Sequence, residues 1–156
     1  VLNLSTEAIR EIFRERSLRH TKQREVVYAA LAATKAHPTA DEIYHSVSRA
    51  HAGQQPIGGT PCDCDLSLAT VYNTLDALCD AGLAHRLPSV SGPCRFDADT
   101  SSHAHLLAAD GQVVDLPEDL SRELLDSLPK SALEEIAKRM GVTIDRVTLQ
   151  VVAKRS

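Results

Sequence analysis

The chain has 156 residues, enough for one ordinary domain or two small ones, with a core that needs no disulfide staples. Hydrophobic residues at 43% and charged residues at 24% are globular values, and no apolar run is long enough for a membrane helix. Seventeen Lys and Arg stand against 21 Asp and Glu; this net charge of −4 excludes a protein coated in positive charge, and 3% aromatic residues without Trp leave no stacking platform for single strands.

The N-terminal VLNLSTEAIREIF lacks the basic-then-apolar order of a secretory signal, which gives a cytoplasmic expectation. Ser5 and Thr6 can cap a first helix carrying Ile9, Ile12 and Phe13 at helical spacing. From Arg10 to Arg24 six basic residues stand against Glu11 and Glu15, a local excess that reads either as a small basic surface or as a solvated helix face. Thr21 opens a second helix with Val26, Val27, Ala30 and Leu31 inward, ending before His37-Pro38 because the residue ahead of a proline avoids the α region. Thr39 and Glu42 make a capping box for a third helix, with Ile43, Val47 and Ala50 on one face.

The segment 51–65 has the Gly, Pro and Asp content of a long loop and holds Cys62 and Cys64. Ser67 caps a fourth helix in which Leu68, Val71, Leu75 and Leu78 face inward, Tyr72, Asn73 and Asp76 face solvent, and Gly82 supplies a left-handed stop. An exposed Tyr-Asn pair suits a recognition helix or a plain surface. Two strands, 83–87 and 94–98, flank the turn 88–93, so helices followed by a hairpin give winged-helix order. The four cysteines, Cys62, Cys64, Cys79 and Cys94, show no CxxC pair and read as free thiols.

A second domain begins after the polar run 99–102: a strand HAHLLAA, an Asp110-Gly111 turn and a strand QVVDL. From Pro117 the chain turns helical through Leu120, Leu124 and Leu128 until Pro129. Ser131 and Glu134 read as another capping box for a helix that ends at Gly141, and Val142, Ile144, Val147, Leu149 and Val151 as a last strand bulged at Asp145-Arg146. The expected fold class is α+β: residues 1–99 form an N-terminal winged helix and residues 103–156 a small C-terminal α/β dimerisation domain. Its three-stranded sheet cannot bury both faces alone, so pairing through the sheet edge or helices is expected.

His103 and His105 flank Ala104 on a strand, where period-two alternation puts both imidazoles on one face as a metal claw or a surface pair. Asp97, at the end of the wing, and Asp115, on the facing strand, can reach that face, and His37 has to come from the other domain. Imidazoles and carboxylates without thiolate suit Fe(II) or Mn(II), with Zn(II) a competitor on affinity. His20, His45, His51 and His85 have no comparable partners in sequence.

Thr21-Lys-Gln-Arg24, His37-Pro-Thr-Ala-Asp-Glu-Ile-Tyr44, Leu68-Ala-Thr-Val-Tyr-Asn73, Arg95-Phe-Asp97 and His103-Ala-His105, in this order, resemble the signatures of the ferric uptake regulator (Fur) family. Within it the chain is most similar to the peroxide-sensing branch, PerR. The resemblance implies a homodimeric winged-helix repressor of double-stranded operator DNA whose regulatory metal falls on His37, Asp97, His103, His105 and Asp115. Asp at position 97, where iron-uptake members usually carry Glu, implies peroxide sensing, with His37 or His103 the imidazole modified. Base contacts carry over to Tyr72 and Asn73 and a minor-groove contact to Arg19, and Lys22 and Arg24 are expected to touch phosphates.

The sequence departs from the family pattern in three places. Ala108-Ala109-Asp110-Gly111 stands where the family has CxxCG, and the C-terminal CxxC is missing, so no structural four-cysteine zinc site is expected. The region between Asp115 and Gly141 exceeds the family's single helix, and the loop with Cys62 and Cys64 is an insertion. Packing by Leu120, Leu124 and Val151 is the expected substitute for the zinc. The competing functions are an iron or manganese uptake repressor without peroxide sensing and a metal-dependent hydrolase; the latter lacks a further general base, and no membrane partner is expected.

Overall fold

The computed structural model describes residues 4–51, 66–144 and 146–154. Cys62, Cys64, Asp145 of the expected bulge and the side chain of Ala50 lie outside that description. The chain divides into two compact units, Val1–Thr100 and Ser101–Ser156.

The first unit contains α1 (Thr6–Glu15), α2 (Lys22–Ala32), α3 (Ala40–His51), α4 (Leu68–Asp80) and an antiparallel hairpin of β1 (His85–Leu87) and β2 (Arg95–Asp97). The helix starts follow from local chemistry. Ser5, Thr21 and Ser67 sit in extended backbone and accept from the amides of Ala8, Arg24 and Thr70. Thr39 and Glu42 cap each other reciprocally, at 2.8 Å and 3.2 Å. Helix α2 is buried from Glu25 to Ala32, as a helix apolar nearly all round must be. Around it Ile9 and Phe13 of α1, Ile43 and Val47 of α3, Val71, Leu75 and Leu78 of α4, and Phe96 of β2 close one core. Leu68 is only partly buried, and Gly82, at φ +68°, ends α4 in the left-handed region that a Cβ would disfavour.

The buried face of α2 includes a carboxylate. Glu25, 1% exposed, accepts from Thr6 Oγ1 at 2.9 Å, Lys22 Nζ at 2.9 Å and His20 Nε2 at 2.8 Å. Burial alone would push its carboxyl up; the hydrogen bonds from Lys22, His20 and Thr6 outweigh that and hold it below the ordinary 4.5. A depressed folded-state pKa contributes stability that is present above the unfolded value and lost as pH falls through the folded one. Glu25→Gln is therefore expected to destabilise the protein at neutral pH and to flatten the acid limb of its thermal stability below about pH 4.5. Melting curves from pH 7 to pH 3 measure this, and an acid limb as steep as that of the native chain would contradict it.

The second unit contains β3 (Ala104–Ala108), β4 (Val113–Asp115), α5 (Glu118–Asp126), α6 (Lys130–Met140) and β5 (Leu149–Ala153). The sheet order is β4-β3-β5, with β4 antiparallel and β5 parallel to the central β3. Gly111, at φ +83°, makes the turn between β3 and β4. Ser121 of α5 is buried, and its hydroxyl accepts from the Ala104 amide at 2.7 Å, tying α5 to β3. Ser121→Ala would strand that amide and is expected to cost about 1–3 kcal/mol, read as a lower denaturation midpoint at unchanged m-value.

Three sequence expectations differ from the structure here. The Ser131–Glu134 capping box does not form: α6 begins at Lys130 behind Pro129, so Ser131 is already inside the helix. Pro129 is the N-cap residue and makes no side-chain cap, and the helix it opens is under way two residues on, before Ser131 could cap it. The last strand starts at Leu149 rather than Val142, since only 149–153 finds a partner in β3. The residues from Val142 to Ile144 follow the left-handed cap Gly141 as irregular chain. The hairpin strands are also shorter than the apolar pattern, β1 by two residues at its start and β2 by one at each end. Among the described residues no helix is long and apolar enough to cross a membrane.

Candidate metal centre and DNA-reading surface

The residues expected to ligate a metal lie in two groups, one in each unit. In the first unit His37 follows α2 and precedes Pro38, and Asp97 ends β2. His37 takes a left-handed backbone, φ +47°, where the pre-proline rule led to an extended one. Such a conformation in a non-glycine residue costs of order 1–3 kcal/mol and persists only where its surroundings over-determine it. Here the surroundings are explicit: Arg95 Nη1 donates to the His37 carbonyl at 2.9 Å, and the Phe96 amide donates to the Pro38 carbonyl at 3.0 Å. Those bonds fasten the His37-Pro38 corner to β2, which also carries Asp97. His37 and Asp97 are both buried, and Asp97 Oδ2 lies 3.7 Å from His37 Nε2, while Asp97 Oδ1 accepts from the Asp99 amide at 2.8 Å.

In the second unit His103, His105 and Asp115 converge. His105 of β3 stands opposite Asp115 of β4 in the antiparallel register, and His103, one residue before β3, shares its face. The two imidazole centroids are 4.4 Å apart. Asp115 Oδ1 lies 3.3 Å from His103 Nε2 and 3.6 Å from His105 Nε2. His103 Nδ1 is 3.0 Å from the Ser101 carbonyl, which can only accept, so Nδ1 is the donor there and Nε2 is the nitrogen turned toward Asp115 and available to an ion in the neutral ring.

These spacings test whether a metal fits. Two donors about 2.1 Å from one ion, at angles of about 90–120°, lie about 3.0–3.6 Å apart. Asp115 with each histidine falls in that range, and His37 with Asp97, at 3.7 Å, lies just beyond its upper end. The donor set of imidazole nitrogen and carboxylate oxygen, with no thiolate, fits a divalent first-row ion in each group. Each group alone supplies too few ligands to complete a coordination sphere.

The DNA-reading candidates all belong to the first unit. Tyr72 and Asn73 are exposed on α4, and Tyr72 Oη lies 3.2 Å from Asp41 Oδ2 on α3. Burial, the Asp41 charge and that hydrogen bond hold the Tyr72 phenol above its ordinary value. Asp76, expected in solvent, is paired with Arg86 of β1, which joins α4 to the hairpin. Arg19 is exposed in the α1–α2 connection, where Arg24 Nη1 holds its carbonyl at 2.8 Å. Lys22, expected at a phosphate, spends its ammonium on Glu25.

Sequence reasoning missed three features of these surfaces. His20 is the partner of Glu25, five residues on; no local pattern marks it, because the pairing needs the α1–α2 connection to fold back. His85 stands opposite Asp97 in the hairpin register, which counting outward from the turn would have shown. Asp41 sits 31 residues from Tyr72, a distance only the packing of α3 on α4 closes. Cys79 and Cys94 are partly buried free thiols, and burial pushes the Cys79 thiol up, away from the reactive thiolate.

The ferric uptake regulator family pattern matches residues 15–152. The chain belongs to that family. Over 103 residues it is 35% identical to the peroxide-responsive repressor PerR of Staphylococcus saprophyticus, covering 65% of this chain and 62% of that protein. The match therefore spans less than two thirds of that curated relative. The ferric uptake regulator from Pseudomonas aeruginosa, solved with manganese, is 24% identical at a TM-score of 0.64, covering 94% of this chain and 97% of that one. The Campylobacter jejuni peroxide stress regulator is 18% identical at a TM-score of 0.60, covering 98% of each chain. At these identities the two structures establish a shared α+β fold.

Proposed function

We propose that this Fur-family chain is a metal-dependent transcription repressor, not an enzyme, that senses peroxide through one divalent ion held jointly by His37, Asp97, His103, His105 and Asp115. The observation that carries the reading is the pair of half-sites. Each presents nitrogen and oxygen donors at ligand spacing, two in the first unit and three in the second, and neither completes a four- to six-coordinate sphere by itself. A ligand bound by both units favours the one arrangement that presents all five donors, and that preference is what couples metal to DNA binding.

In this reading the first unit acts as a winged helix. Its α4 enters the major groove, Tyr72 and Asn73 contact bases, and Arg19 and Arg24 contact the backbone, with Lys22 weakened in that role by Glu25. The chain works as a homodimer in the cytoplasm, because two recognition helices are needed for two half-sites of operator DNA. Exposed Leu120 and Leu124 on α5 and Val151 on β5 supply apolar surface for that pairing.

Fe(II) in the site would supply the electrons that cleave peroxide, which Mn(II) and Zn(II) would not. The chain's own part is to hold an imidazole, His37 or His103, beside that reaction. There it gains one oxygen atom from peroxide while the other leaves as water. Mass spectrometry of the Fe(II)-loaded and Mn(II)-loaded protein after peroxide tests this. One added oxygen on a peptide containing His37 or His103, with iron only, is the expected result. Unmodified histidines with iron, alongside intact metal-dependent DNA binding, would instead leave a metal-uptake repressor.

A further inference from the structure

Tyr72 is 39% exposed on α4, yet its hydroxyl is not free to choose its hydrogen bonds. Its Oη lies 3.2 Å from Asp41 Oδ2, and an ionised carboxylate can only accept. The phenol has one proton, so that proton goes to Asp41 and the oxygen is left with acceptor capacity alone. The helix turn that carries this carboxylate is held in place. Asp41 stands in the first turn of α3, where the helix N-terminus favours an anion. That turn is fixed by the Thr39–Glu42 capping box, and Glu42 is held in turn by Arg95 Nη1 at 3.1 Å.

We propose that Asp41 sets the base preference of Tyr72: by taking the phenol proton it makes Tyr72 an acceptor that selects an exocyclic amine, adenine N6 or cytosine N4, in the major groove. This rests on the DNA-reading role proposed above. The groove edges of guanine (N7, O6) and thymine (O4) carry only acceptors, apart from the thymine methyl. Facing either, the Tyr72 oxygen meets another lone pair, and the Asp41 charge behind it adds to the repulsion. A phenol released from Asp41 could rotate its proton toward those acceptors, so discrimination depends on a residue that need not touch the base. Asp41 is therefore a positioning residue for base readout.

The test is selection of binding sites from a random duplex pool by the full chain with Mn(II). The native protein is expected to enrich adenine or cytosine over guanine or thymine by about fivefold to tenfold at one position of each half-site. Asp41→Ala and Tyr72→Phe should each lose that preference and keep the rest of the motif, and the double variant should lose no more. Asp41→Asn, whose amide oxygen still accepts the proton, should retain it. Asp41 is exposed, so none of these changes threatens the core. An unchanged profile in Asp41→Ala, an equal loss at every position, or an Asp41→Asn profile like that of Asp41→Ala would overturn the proposal. Loss in Tyr72→Phe with none in Asp41→Ala would leave Tyr72 as a base reader and remove Asp41 alone. No enriched motif with the native chain would overturn the DNA-reading role itself.

Discussion

His105→Ala is expected to remove metal-stimulated DNA binding, a loss of about 100-fold or more at an Mn(II) concentration that saturates the native protein. The imidazole belongs to the half-site of the second unit, at 3.6 Å from the Asp115 carboxylate, whereas the groups proposed to read DNA all lie in the first. A direct effect on the DNA contacts is therefore not available as an explanation. The effect has to pass through the arrangement of the units that the ion favours, and a site short of one ligand no longer favours it strongly enough. His37→Ala should behave alike, although it removes a ligand from the first unit, and it should also release the left-handed corner held by Arg95. Gel shifts with increasing Mn(II) measure both variants, with circular dichroism as the check on folding. Native metal dependence in either variant would contradict a jointly held ion.

Chelation is expected to abolish DNA binding and leave both the helices and the dimer in place. A structural zinc held by four cysteines carries about 10–16 kcal/mol of apparent binding free energy, so a chain relying on one unfolds when it is stripped. This chain has only Cys62, Cys64, Cys79 and Cys94, with no CxxC pair, and both half-sites lack thiolate. The second unit instead carries two helices, α5 and α6, after β4, and exposes Leu120, Leu124, Ile136 and Met140 on them. Sizing chromatography and far-UV circular dichroism in excess chelator read the result. A monomer, or a loss of helix, would point to a structural metal, with Cys62, Cys64 and Cys94 the first ligands to examine.

Much of this architecture is legible in the sequence because it is specified locally. Ser5, Thr21, Ser67 and the Thr39–Glu42 pair cap the helices they announce, since a cap needs only its own first turn. The face shared by His103 and His105 follows from strand alternation, and the Asp110-Gly111 turn then fixes Asp115 opposite His105. What fails is specified by partners. The apolar alternation from Val142 onward looks like one strand, yet only 149–153 pairs with β3. Nothing local marks Glu25 in the sequence, and its burial beneath Thr6, His20 and Lys22 appears only when α1 packs on α2. The bond from Tyr72 to Asp41 is of the same kind.

The most direct measurement is a single titration of Mn(II) into the full chain, with electron paramagnetic resonance counting bound ion and fluorescence anisotropy following a duplex recovered from the random pool. One Mn(II) per chain is expected, with DNA affinity rising at the same midpoint as the bound ion. DNA affinity that stays constant while the ion fills the site would contradict control of DNA binding by His37, Asp97, His103, His105 and Asp115.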